Sequence, residues 1–349
     1  WQATMATSAV VGPGSMTGPM WMPSVPPTPE RMLAWHPQPI PVLPLIVLIL
    51  LVTYGRGVVV LARRGVRWPI GRSLWWLAGV GSVLMVTATA VDGYGMELFS
   101  VHMIQHMVLN MLSPVFLVLG APVTLLLRAL PVGSGPRGRI RHAILWLLHT
   151  RAMAILTHPG VTFALFIMSL YGLYYTPAFD YLMGTWWGHN LMLVHFLLIG
   201  FLYFWGVLGV DPSPRTSRRG HRTLSGPVIP VLEVAATAPF HAFFGVVVMM
   251  STTLLVGFYS MPIPGWQVSP LADQATGGGI AWSFTELPTL LVLMALIVKW
   301  HKSEERTIRA TERRQARGGD TELADYNSYL QSLDRAEIPG SRGAGAALT

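Results

Sequence analysis

Cysteine is absent from the 349 residues. That excludes a disulfide framework and any thiolate metal site, so a metal here must use His, Met, carboxylate or backbone oxygen. Charge is scarce as well. Asp, Glu, Lys and Arg make up 11% of the chain, where a soluble domain carries about a quarter. With 52% hydrophobic residues, 13 Trp and 18 Met, this scarcity points to an all-α polytopic membrane protein. A third absence is local: the stretches Asp92–Ser100, Thr176–His189 and Tyr259–Gly279 contain no Lys or Arg. The net charge of +8 sits instead in short loops between apolar runs and in the C-terminal tail. That placement argues for the lipid bilayer as partner and against nucleic acid. No signal-peptide pattern is visible, and the start at Trp1 leaves room for upstream sequence.

A bilayer core takes about twenty apolar residues per helix. Seven segments qualify: Pro41–Leu61, Ser73–Val91, Val101–Leu119, Val161–Tyr175, Asn190–Val210, Val228–Phe258 and Ile280–Trp300. The fourth is short, and Pro230 and Pro239 are expected to kink the sixth. Arg63, Arg64, Arg67 and Arg72, then Arg128 to Arg151, then Arg215 to Arg222, and finally the tail fall on one side of this alternation. The expectation is a seven-transmembrane helix bundle with the N-terminus outside and the C-terminus cytoplasmic. Three regions follow: an irregular extracytoplasmic Pro/Met-rich segment 1–39, a transmembrane domain 40–300 and a charged cytoplasmic tail 301–349. Ala143–Leu156 reads as one interfacial amphipathic helix. In the tail, Ser303–Arg317 and Asp320–Leu333 read as short helices, and Pro339–Thr349 as disordered.

Polar residues inside the apolar segments are costly unless they find partners. His102 and His106 share one helix face, and Asn110 and Ser113 are expected to continue it. Glu233, Thr237 and His241 form a second line, on segment six. Segment seven offers Glu286 and Thr289. Segment five offers His195, with His189 at its mouth. A lone intramembrane histidine is more often a hydrogen-bonding group than a ligand. The i, i+4 pair shifts that balance, because this spacing is common among metal ligands. His102, His106, His195, His241, Glu286 and His189 are therefore the candidate metal set, converging in one outward-facing cavity with nearby Met96, Met103, Met107, Met183 and Met192. Imidazole and thioether without thiolate favour copper, especially Cu(I). A heme held by His106 and His195 is the competing cofactor. Met16, Met20 and Met22 form a separate thioether cluster, read first as packing.

The block His102-Met-Ile-Gln-His106-Met, then Pro114 to Pro122 and Arg128, resembles the CtaG family of cytochrome c oxidase assembly factors. So do His189 to His195, Pro239-Phe-His241-Ala242 with Gly245, Asp273-Gln274 with a glycine-rich turn, and Trp282 with Glu286-Leu-Pro288. The resemblance covers roughly residues 40 to 300. It departs at Ala275, where the pattern has a second Gln, and at Thr285, where it has Gly. It implies a non-enzymatic protein of the bacterial plasma membrane. Such a protein would handle copper during maturation of a heme-copper oxidase, with oxidase subunits or a respiratory supercomplex as partners. In that light the four deeper histidines are ligands and Glu286 is a counter-ion to one of them. Transport of copper across the membrane is the alternative activity.

Overall fold

The computed structural model describes residues 16–133, 135–214 and 228–336. The expected basic cluster Arg215–Arg222 and the tail Pro339–Thr349 lie outside the described residues. The chain divides into two units, one ending at Leu296 and the other beginning at Ile297. Among the described residues the fold is all-helical, with two isolated bridges, Thr17–Thr185 and Trp35–Thr89, and no strand.

The elements in order are α1 (Pro29–Met32), α2 (Val42–Arg63), α3 (Ile70–Thr87), α4 (Val91–Glu97) and α5 (Phe99–Met107). A π turn (Val108–Leu112) joins α5 to α6 (Ser113–Leu119), followed by α7 (Pro122–Ala129), α8 (Pro136–His149), α9 (Arg151–Leu156) and α10 (Pro159–Tyr174). Then come α11 (Ala178–Met183), α12 (Trp186–Leu208), α13 (Val228–Met250), α14 (Pro270–Phe284) and α15 (Glu286–Ala336).

Six helical stretches are long and apolar enough to cross a membrane: Val42–Arg63, Ile70–Thr87, Phe99–Ala129, Trp186–Leu208, Ile229–Met250 and Pro270–Arg313. The expected fourth segment is the shorter apolar helix α10. Of Phe99–Ala129, 67% is buried, and of Trp186–Leu208, 61%, against 22% of Val42–Arg63. The first two are therefore central, and α2 leaves most of its apolar surface for lipid.

Several boundaries differ from expectation for physical reasons. The supposed glycine-rich turn at Gly277–Gly279 is the middle of α14. A Cβ on Gly278 would stand 2.3 Å from the Met249 nitrogen, and one on Gly245 would stand 2.6 Å from the Trp282 nitrogen. These glycines let α13 and α14 touch backbone to backbone, which is how helices pair without a hydrophobic drive. The interfacial stretch is two helices, because Thr150 leaves helical geometry and caps α9 through a bond from Met153 N–H.

Aspartates tie the loops to the helices. Asp211 accepts from the Val123 and Thr124 amides, both at 2.9 Å, and so caps α7 from a distant part of the chain. Burial pushes its carboxyl up from the ordinary range, while hydrogen bonds from Thr124 and Val123 draw it back down. Asp273 caps α5, accepting from the Ser100 hydroxyl and amide. Asp180 accepts from Gly257 and Phe258.

Residues 16–39 are bound to this unit at both ends of their course. Thr17 exchanges backbone bonds with Gly184 and Trp186, and Ala34 and His36 bond Ala90 and Ala88. Gln38 clamps both polar backbone atoms of Trp21. Met16, Met20, Met22 and Met32 lie partly buried against the core, as packing.

The second unit is helical from Ile297 through Ala336, where two short helices were expected. No proline falls between Pro288 and Pro339, and glycines such as Gly318 and Gly319 weaken a helix without breaking it. His301 and Arg309 flank Glu305 in i, i+4 pairs.

Candidate functional site

The site grows from one irregularity in the central helix. Pro114 has no N–H to give the Asn110 carbonyl four residues back. The helix widens instead, and the Ser113 N–H reaches back to Val108, a π turn. Gly200 of α12 accommodates the bulge: a Cβ there would lie 2.1 Å from the Asn110 oxygen. The turn also rotates the polar stripe. Ser113 pairs with Ser82 of α3 at 2.7 Å, while His102 and His106 meet Tyr174 of α10. The expected single stripe from His102 to Ser113 is thus split between two neighbours.

Tyr174 is the hub. Its hydroxyl lies 3.1 Å from His102 Nε2 and 2.8 Å from His106 Nδ1. All three side chains are fully enclosed, with His102 and His106 at 0% exposure. The His106 ring stacks on Phe196 at 3.9 Å and stands edge-on to His241 at 6.4 Å between ring centres. The second nitrogen of each hub histidine, His102 Nδ1 and His106 Nε2, has no hydrogen-bond partner among the described residues, and neither nitrogen of His241 has one. His241 opens on a chamber of about 10 Å³ lined also by Met111, Tyr203 and Thr237, room for about one water. Its helix carries the expected line, with Glu233, Thr237 and His241 all buried.

The other end of the cluster is built on Asp92. This buried carboxylate accepts from Gln105 Nε2 at 2.6 Å and from His189 Nε2 at 3.1 Å. His189 Nδ1 then carries the lone pair, 3.4 Å from the Met183 sulfur, and its ring lies 6.3 Å from that of His102. A carboxylate holding one imidazole nitrogen so that the other is free is the usual support of a ligating histidine.

Two predicted members stand apart. Glu286 is exposed, so it does not enter the buried set. His195 is partly buried and pairs with Ser169 at 2.9 Å. Among the described residues no three His, Asp or Glu side chains form a metal cage. The six-residue set in one cavity is thus replaced by two small groups joined through Tyr174. One contains His102, His189 and Met183, and the other His106, His241 and Met111.

The family model for cytochrome c oxidase caa3 assembly factors matches residues 52–303. The chain belongs to this family. Among its relatives, uncharacterized proteins of Mycobacterium bovis and Mycobacterium tuberculosis are each 44% identical over 292 residues, which is 82% of this chain and 43% of theirs. One from Mycobacterium leprae is 41% identical over the same length. The chain spans less than half the length of these curated relatives. No solved structure matches it.

Within this caa3 assembly-factor fold, sequence reasoning missed Tyr174, Asp92, Gln105 and Met111. Only Asp92 gave a signal, as an acidic residue in a stretch free of Lys and Arg. An Asp92→Ala change leaves the Gln105 and His189 donors unpartnered, at about 1–3 kcal/mol each. We expect a destabilisation of about 2–5 kcal/mol, read as a lowered melting temperature in lipid nanodiscs. Asp92→Asn keeps an acceptor oxygen and should recover much of the loss. Equal effects of Ala and Asn would show that the carboxylate does not organise this end.

Proposed function

We propose that this chain is a non-enzymatic, membrane-embedded assembly factor that holds Cu(I) in transit to a copper centre of a heme-copper oxidase. The observation that carries this reading is the set of buried imidazole nitrogens with no partner: His102 Nδ1, His106 Nε2 and both of His241. Each unpaired buried group costs about 1–3 kcal/mol, a penalty that a soft cation relieves. Neutral imidazoles beside thioethers suit Cu(I). The donors fit two-histidine sites completed by Met183 or Met111, since no larger cage is preformed. Heme fits less well. The space at His106 is taken by Phe196 and Tyr174, and the chamber beside His241 holds about 10 Å³.

In the same reading α10 is a seventh span. Its 16 residues reach about 24 Å, and a locally thinned bilayer accommodates that length. The Lys/Arg alternation places the N-terminus outside the bacterial plasma membrane and the helix from Ile297 in the cytoplasm. Oxidase subunits, alone or in a respiratory supercomplex, are the partners.

Metal analysis and a visible spectrum of the purified protein test the proposal. One copper per chain and no Soret band are expected. A metal-free protein after loading with Cu(I) would sink it, and a Soret band would replace copper with heme. The buried line Glu233–Thr237–His241 favours copper transport as a second reading. Copper flux into proteoliposomes above protein-free vesicles would select it.

A further inference from the structure

We infer that Tyr174 is a positioning residue that couples the tautomers of His102 and His106, so that only one of the two copper-binding groups offers a lone pair at a time. The inference rests on the copper reading above for its purpose, and on the buried geometry alone for its existence.

A phenol has one proton to give, and here its oxygen lies between two imidazole nitrogens, at 3.1 Å from His102 Nε2 and 2.8 Å from His106 Nδ1. Two arrangements of neutral rings satisfy both contacts. In one, Tyr174 donates to His102 Nε2 and accepts from His106 Nδ1–H. His102 then carries its proton on Nδ1, and His106 Nε2 is a lone pair beside His241. In the other, His102 Nε2–H donates to Tyr174, which donates to His106 Nδ1. Now His106 Nε2 carries the proton, and His102 Nδ1 is the lone pair. Both rings are therefore Nδ1–H together or Nε2–H together. Neither free nitrogen has another partner among the described residues to override this rule. The rings cannot swing away, since Phe196 stacks on His106 and Phe99, Phe179 and Phe244 surround Tyr174.

The coupling makes transfer between the groups an exchange. When Cu(I) leaves His106 Nε2, one proton takes that nitrogen. The His106 Nδ1 proton passes to Tyr174, the Tyr174 proton passes to His102 Nε2, and the His102 Nδ1 proton leaves as Cu(I) arrives there. One proton enters, one leaves, copper keeps its oxidation state, and the buried charge is unchanged. A cation thus moves between two dry groups without a second charge accumulating, which a low-dielectric interior strongly disfavours.

The test uses the full chain in nanodiscs with 15N-labelled histidine, comparing wild type with Tyr174→Phe, which keeps the ring and removes the hydroxyl. In metal-free wild type the 15N shifts of His102 and His106 are expected to report the same tautomer. One equivalent of Cu(I) should lock both rings, including the one that carries no copper, and the chain should bind one Cu(I). In Tyr174→Phe the second ring should no longer respond, and both groups should fill, raising the content to two per chain. Opposite tautomers in metal-free wild type, or an unchanged response and a single copper in Tyr174→Phe, would overturn the inference. Should Tyr174→Phe fail to fold, the metal-free wild-type tautomers still decide. Failure of wild type to bind copper would sink the functional reading instead, and the metal-free spectra would still judge the coupling.

Discussion

Replacing His102 and His106 together by alanine is expected to take bound copper from one per chain to none. Each of the two small groups contains one member of this pair, so the double change removes a ligand from both. Loss of an outer-shell partner of a ligating histidine costs about 10–100-fold in metal affinity, and loss of the ligands themselves should exceed that. The oxidase made in cells carrying the double variant should be copper-deficient. His102→Gln with His106→Gln fills more of the space and separates ligand loss from a cavity effect; it too should bind no copper. His195→Ala and Glu286→Gln serve as controls with full copper. His195 is engaged by Ser169 and Glu286 is exposed. A normal copper content in the oxidase of the double variant would refute the proposed role.

A second large effect is expected at a site with no ligand chemistry. Gly278→Val places a branched side chain where even a Cβ would stand 2.3 Å from the Met249 nitrogen and 2.7 Å from the Gly245 oxygen. Overpacking a core costs about 1–3 kcal/mol when side chains can shift. Here the obstacle is backbone, so α13 and α14 must separate, and the cost should reach or pass the top of that range. The unit that holds His241 should then melt far below wild type or fail to accumulate. Gly279→Ala is the matched control. The nearest atom to its Cβ is the Met249 sulfur at 3.7 Å, an ordinary contact. Alanine there also gains about 1 kcal/mol of helix propensity, so its melting temperature should hold or rise. Equal melting temperatures for the two variants would show that the close crossing does not support the fold.

Much of the fold was legible because hydrophobic length is a property of local sequence. Val42–Arg63 and Trp186–Leu208 announce themselves by apolar runs that only lipid or a core can accept. Gly277–Gly279 misled because glycine is both a turn former and a helix-contact residue. Which it is depends on whether another backbone lies within reach, here Met249 and Phe99. The tail misled in the opposite sense, because its glycines were read as a break while the absence of proline lets the helix run on.

At the candidate site, the i, i+4 spacing of His102 and His106 identified the right helix and the right face. It could not reveal Tyr174, which stands 68 residues beyond His106 among other tyrosines of similar aspect. Nor could it reveal the π turn, where Pro114 and Gly200 together rotate Ser113 out of the stripe. Glu286 looked equivalent to Glu233 by hydropathy alone, but only the latter is buried.

By itself, then, the sequence determined the class of protein, the helices that need a nonpolar surrounding, the absence of thiolate chemistry and the imidazole pair. All of these follow from composition and from periodicities a few residues long. Tertiary structure decided which polar groups meet. It set His102 and His106 on one tyrosine, gave His189 an aspartate, turned His195 to a serine and left Glu286 at the surface. Those pairings depend on helix rotation and close approach between distant segments. A single bulge or a single glycine changes them by a third of a turn, and no local pattern records that.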